Sequence, residues 1–126
     1  MHARQLLIVS ALVETGAGLM LLVSPAPFVA LLLGASLASP AAFVVARMAG
    51  AALLSLACAC WLARNEKPHG GVSAMVMALL LYNSAAVALL AHAAINTSLL
   101  GVLTWPTIAL HAALAVWCTA SLRRGR

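Results

Sequence analysis

A chain of 126 residues that is 65% hydrophobic and 7% charged lies far from the roughly 45–50% apolar and 25% charged makeup of a soluble domain. Two acids and seven bases cannot cover a water-facing surface, and a mean hydropathy of +1.10 means that most side chains prefer hydrocarbon, so a soluble fold is excluded. The net charge of +5 comes with no aromatic platform and no soluble domain, which leaves the lipid bilayer rather than nucleic acid as the partner of the bases.

A helix needs about 20 apolar residues to cross a hydrocarbon core about 30 Å thick, so four or five crossings fit. Charged and helix-breaking residues divide the chain into four predicted spans: residues 5–23, 40–63, 71–95, and a last one ending near Leu122. No segment alternates over ten residues as a barrel strand would. The expected architecture is all-α, a four-transmembrane-helix bundle in a single domain.

In the first span, Arg4 and the apolar run 6–13 imitate a signal peptide. Glu14 interrupts that run and no small-x-small site precedes Pro25, so the segment is expected to stay as a helix. Ser10, Ala11, Glu14, Ala17 and Gly18 fall on one stripe of small residues, the kind that lets membrane helices approach closely. Pro25 and Pro27 break the helix. Residues 28–33 are apolar but too short to span, and are predicted to form a short interfacial helix ending at Gly34, placed to cover the bundle mouth.

Ser39-Pro40 opens the second span, where Arg47 shares a face with Gly50, Ala51, Leu54 and Cys58. Cys58 and Cys60 point to nearly opposite sides of a helix, and with Cys118 they read as small apolar packing residues, with neither disulfide nor metal spacing. Arg64 and Lys67 mark the middle loop, and His2 and His69 are terminal and loop residues. The third span carries Tyr82 and Asn83, with Met75 and Met77 as filler and His92 near its far end. The fourth starts at Leu99, with Pro106 kinking it, or at Trp105, with the proline harmless in the first turn; the second is favoured.

Short loops rich in Lys and Arg stay cytoplasmic. Four crossings put Arg4, Arg64, Lys67, Arg123, Arg124 and Arg126 on one face, six of the seven bases, so both termini are expected in the cytoplasm of a bacterial inner membrane.

Polar groups inside a membrane are costly and face the bundle interior. At about 1.5 Å per residue, Glu14 and Asn83 fall near mid-bilayer, Arg47 about 10 Å below the outer face, and His111 between. Glu14, Arg47, Tyr82, Asn83 and His111 are therefore the expected ligand or proton pocket, with a Glu14–Arg47 ion pair as its structural alternative. His92 and His111 are weak haem-ligand candidates, within a turn in depth if the last helix starts at Trp105.

Two family resemblances follow. A lone membrane glutamate on helix 1 of a short four-helix chain is similar to the small multidrug resistance transporters, which exchange protons for cationic drugs. Here, however, residues 72–95 lack the glycine of that family's third helix, and aromatics are scarce. The runs Gly18-Leu19-Met20-Leu21-Leu22-Val23-Ser24-Pro25, Leu31-Leu32-Leu33-Gly34, Arg47-Met48-Ala49-Gly50-Ala51-Ala52-Leu53-Leu54 and Trp61-Leu62-Ala63-Arg64 resemble the DoxX-like group of small four-helix bacterial membrane proteins over the first half of the chain. That resemblance implies a link to quinone-dependent sulfur oxidation or thiol redox systems. The expected role is non-enzymatic, an accessory or ligand-binding membrane protein that acts alone, as a homo-oligomer or beside a membrane partner. A proton-coupled carrier using Glu14 is the alternative, and a quinone- or haem-linked subunit the third reading.

Overall fold

The computed structural model describes residues 3–66 and 71–124. Lys67, His69, His2 and Arg126, which the sequence places in loops or termini, lie outside them. Among the described residues all regular structure is helical: α1 (Ala3–Val23), α2 (Pro25–Leu33), α3 (Pro40–Ala63), α4 (Gly71–Asn96) and α5 (Thr104–Arg124). The helices α1, α3, α4 and α5, of 21, 24, 26 and 21 residues, are each long and apolar enough to cross a membrane. At about 1.5 Å per residue all four reach the roughly 30 Å of the hydrocarbon core. The fold is a four-span bundle with a short helix between the first and second spans.

Local chemistry sets the boundaries. The short helix starts at Pro25, earlier than residue 28, because the first turn of a helix has no internal use for its N–H groups and tolerates both prolines there. It stops at Gly34, whose φ of 66° is left-handed and whose N–H bonds back to the Ala30 carbonyl. Helix α3 is capped by Ser39, whose Oγ accepts from the Ala42 N–H at 3.2 Å, ahead of Pro40 in the first helical position. At its other end Arg64 donates to the Trp61 carbonyl and lies 3.8 Å over the Trp61 ring, a cation–aromatic anchor suited to the headgroup layer. Past the end of α4, Ser98 takes a left-handed φ of 57°, which costs a residue with a Cβ about 1 kcal/mol. Ser98→Gly is expected to raise unfolding stability in micelles by about 0.5 kcal/mol, the unfolded-state entropy of glycine offsetting the remainder.

The bundle is two close helix pairs, α1 with α3 and α4 with α5, in thinner contact with each other. At the crossing of the first pair a Cβ on Gly18 would stand 2.9 Å from the Gly50 carbonyl oxygen, and one on Gly50 would stand 2.8 Å from that of Gly18. The backbones touch because neither residue has a side chain, the small-residue mode of membrane helix packing. All four spans contribute to one core, with Leu7 from α1, Cys60 from α3, Leu79 from α4 and Cys118 from α5 all buried. It lies toward the end of the bundle where α3 stops and α4 starts.

The opposite mouth is closed by an irregular segment. His111 is bonded to Asn83, so the two share a level. Asn83 precedes the end of α4 by 13 residues and His111 follows the start of α5 by 7, so α5 begins six residues, about 9 Å, deeper than α4 ends. Residues 97–103 therefore descend into the mouth. Non-helical backbone at such a depth survives only when protein covers it, and α2 does so. The Leu103 N–H bonds to the Leu31 carbonyl at 2.9 Å, and the Thr104 hydroxyl accepts from the Gly101 N–H at 2.8 Å while donating to the Leu32 carbonyl. The last carbonyls of α2, which have no partner in their own helix, are thus satisfied by the loop they cover.

Candidate functional site

Three helices deliver one connected set of polar groups to the interior. Glu14 of α1 is 1% exposed, Asn83 of α4 is 0% and His111 of α5 is 7%. Asn83 donates from Nδ2 to the Leu79 carbonyl at 2.7 Å, which leaves its Oδ1 as an acceptor. His111 Nδ1 lies 2.7 Å from that oxygen, so Nδ1 carries a proton and donates to it. Tyr82 packs edge-on against His111, with centroids 5.6 Å apart and an interplanar angle of 83°. Its side chain also neighbours the Glu14 carboxyl. Glu14, Tyr82, His111 and Asn83 form one chain of contacts across α1, α4 and α5.

The set is incompletely satisfied on the α1 side. Oε1 of Glu14 and Oγ of Ser10 are buried with no hydrogen-bond partner. Ser10 is itself 0% exposed and sits one turn from Glu14 on the same face. Hydroxyls in this bundle ordinarily settle on the carbonyl four residues back: Thr15 on Ala11, Ser55 on Ala51, Thr97 on Ala93 and Thr119 on Ala115. Ser10 departs from that habit. A carboxyl oxygen and a hydroxyl left unpaired inside the bundle carry a desolvation cost that a guest bringing N–H or O–H groups would relieve.

The structure does not bring Arg47 to this set. Arg47 is exposed on α3, three residues outward of Gly50, and Gly50 meets Gly18, itself four residues outward of Glu14. The seven residues amount to about 10 Å. Among the described residues no ion pair joins Glu14 to Arg47 or to another base. The two charges should therefore behave independently, with Glu14→Gln and Arg47→Gln additive to within about 0.5 kcal/mol in micelle unfolding.

Nor are the two haem-ligand candidates brought together. His92 is exposed, its Nδ1 lying 3.1 Å from Asn96 Nδ2, and it stands nine residues, about 13 Å, outward of the Asn83 level that His111 occupies. An iron cannot be shared over that span, so the residues present do not fit a bis-histidine haem. The expected match in depth assumed helix ends at equal heights, whereas α5 starts deep. Among the described residues no three His, Cys, Asp or Glu side chains gather to hold a metal ion. Cys60 and Cys118 are free and buried in the core and Cys58 is free and exposed.

Two polar residues with structural weight were not singled out as site residues from the sequence. In the sequence Ser10 stands out only as one of a stripe of small residues, although its position four before Glu14 puts it on the same face. Thr104 is 0% exposed because it receives α2, a contact with no local signal. Within the cluster, the Asn83–His111 bond is expected to show a coupling of about 0.6 kcal/mol, and no more than about 1.7, in a double-mutant cycle to alanine.

No family model, no curated protein and no solved structure matches the chain.

Proposed function

We propose that this multi-pass membrane protein is of ligand-binding or accessory type, and that its ligand is a small hydrogen-bond-donating cation held at Glu14 inside the bundle. The observation that carries the reading is the pair of buried, unpartnered oxygens, Glu14 Oε1 and Ser10 Oγ, one turn apart on α1. A bare carboxylate in hydrocarbon is costly, and with no counter-ion from the described residues a guest cation such as ammonium or a primary amine balances its charge. Purified protein in micelles, heated with ammonium or alkylammonium chloride against sodium chloride at equal ionic strength, tests this. Binding to the folded state alone raises its stability by about 2.7 kcal/mol at a hundredfold excess over Kd. The rise in Tm should vanish in Glu14→Gln and persist in Arg47→Gln; an equal rise in Glu14→Gln overturns the proposal.

A second reading, a proton-coupled carrier, is favoured by the burial of a titratable carboxyl, Glu14, in a bundle interior that also holds Asn83 and His111. Vesicles under a pH gradient decide it. Wild type that moves protons with a substrate, beside a folded but silent Glu14→Gln, supports transport; wild type silent across cations, amines and acids removes it.

The membrane is proposed to be a bacterial inner membrane with both chain ends cytoplasmic, which is supported by Arg4, Arg64, Arg123 and Arg124 at one end of the bundle among the described residues and by the absence of Lys and Arg from residues 24–39 and 96–103 of the sequence. Reporter fusions at Glu66 and after Arg124 should read cytoplasm, and those at Ser36 and Thr97 the other side. Membership of the DoxX-like group belongs to the same proposal and is supported by the runs within 18–25, 31–34, 47–54 and 61–64.

A further inference from the structure

A groove of about 350 Å³ runs between α4 and α5 on the outside of the bundle, and none of Glu14, Tyr82, Asn83 and His111 lines it. Its walls are Leu80 and Ser84 of α4 and Ala115, Val116, Thr119 and Arg123 of α5. Two alanines on α5, Ala115 and Ala120, leave the seam open. The one hydroxyl on the α5 wall is turned back into its own helix, since Thr119 Oγ1 donates to the Ala115 carbonyl at 2.9 Å. What faces outward along the seam is therefore mainly aliphatic. From Ala115 to Arg123 the groove follows α5 for eight residues, about 12 Å along the membrane normal, from the interior of the bilayer to the helix end. There Arg123 closes it with a guanidinium, and the neighbouring Arg124 is exposed. A slot that is apolar along its length and cationic at the interface matches the amphiphilicity of a phospholipid with its phosphate outward.

We infer that the α4–α5 groove is a binding site for an anionic phospholipid, one acyl chain lying along Ala115 and Val116 and the phosphate resting on Arg123. The planar fork of the guanidinium can hold two phosphate oxygens at once. Arg123 thereby does more than hold the helix end at the membrane surface: it selects the lipid by charge, and the groove fixes where that lipid sits.

The test is native mass spectrometry of the full chain released from micelles, with phosphatidylglycerol or phosphatidylcholine of identical acyl chains added in steps. One phosphatidylglycerol per chain is expected to persist where phosphatidylcholine does not. Loss of one phosphate contact at the membrane surface corresponds to about a fivefold weaker binding, so Arg123→Gln should lower phosphatidylglycerol occupancy by about that factor while Arg124→Gln has the smaller effect. Ser84→Leu, a lipid-facing change that fills the groove and leaves both arginines, should lower occupancy as well. Arg123 and Ser84 are both exposed, so neither variant threatens the fold, and an unchanged Tm without added lipid verifies this. Equal binding of the two lipids, equal losses in Arg123→Gln and Arg124→Gln, or full binding by Ser84→Leu would overturn the inference. So would a dimer that excludes the lipid, since a second copy would then be the occupant.

Discussion

Replacing Gly50 with leucine is expected to be among the most damaging single changes in the bundle. Even the first carbon of a side chain there would meet the Gly18 carbonyl oxygen at 2.8 Å and the Leu22 nitrogen at 2.9 Å, both backbone atoms that cannot swing away. The α1–α3 pair is the more extensive of the two helix pairs, and in a bilayer such pairs are held by close packing rather than by a hydrophobic force between helices. Forcing them apart forfeits dispersion contacts along the whole crossing. A loss of about 3 kcal/mol in reversible micelle unfolding is expected for Gly50→Leu, the upper end of ordinary overpacking. Gly18→Leu should behave alike. Gly16 sits two residues from Gly18 on the same helix, and a Cβ there would meet nothing within 4 Å. Gly16→Ala should therefore raise stability, by up to about 1 kcal/mol from helix propensity. Equal responses at positions 16 and 50 would rule out the glycine crossing.

Gly101→Ala should open the mouth of the bundle. Its added methyl would collide with the Leu31 carbonyl, the acceptor of the Leu103 N–H, and with the amide nitrogen of Gly34 nearby. The substitution dislodges α2 and leaves the carbonyls of Leu31 and Leu32 without donors. At about 1–3 kcal/mol for each buried group left unpaired, a destabilisation of about 2–4 kcal/mol is expected. The local signature is more decisive than the global one. Hydrogen exchange at the Leu103 amide should accelerate sharply, while exchange in the middle of α3 should follow only the global change. Thr104→Val removes the hydroxyl bridge without the clash and should cost about 1 kcal/mol.

Helix positions were legible in the residues because breakers and apolar runs leave local marks. Ser39-Pro40 fixed the start of α3, Gly34 the end of α2, and Pro106 in the first turn the start of α5 near Trp105. The inward direction of Glu14 was legible too, from the small residues at 10, 11, 17 and 18. What no local pattern carries is relative height. Counting from helix ends treats the ends as level, but residues 97–103 sink by about 9 Å, which moved His111 to Asn83 and away from His92. Arg47 illustrates the same limit. Its depth on α3 was countable, yet its distance from Glu14 depends on where Gly50 meets Gly18, a fact of the crossing and not of either helix alone. The clamp of Thr104 on α2 joins residues 72 apart and has no signature in either segment.

The cation site at Glu14 is tested most directly by carbodiimide labelling under competition. Apart from its terminus the chain has only two carboxyl groups, Glu14 and Glu66. An apolar carbodiimide added to the protein in micelles, followed by peptide mass spectrometry, therefore reports on each separately. Modification of Glu14, counted as acylurea and amine-coupled amide together because an added amine can capture the activated carboxyl, should slow in proportion to added ammonium or primary amine, with sodium at equal ionic strength without effect and with the same total at Glu66, exposed at the end of the α3 segment, unaffected. A wild-type Glu14 that labels at one rate whatever the amine concentration, or that never labels while Glu66 does, would contradict a cation-binding site inside the bundle.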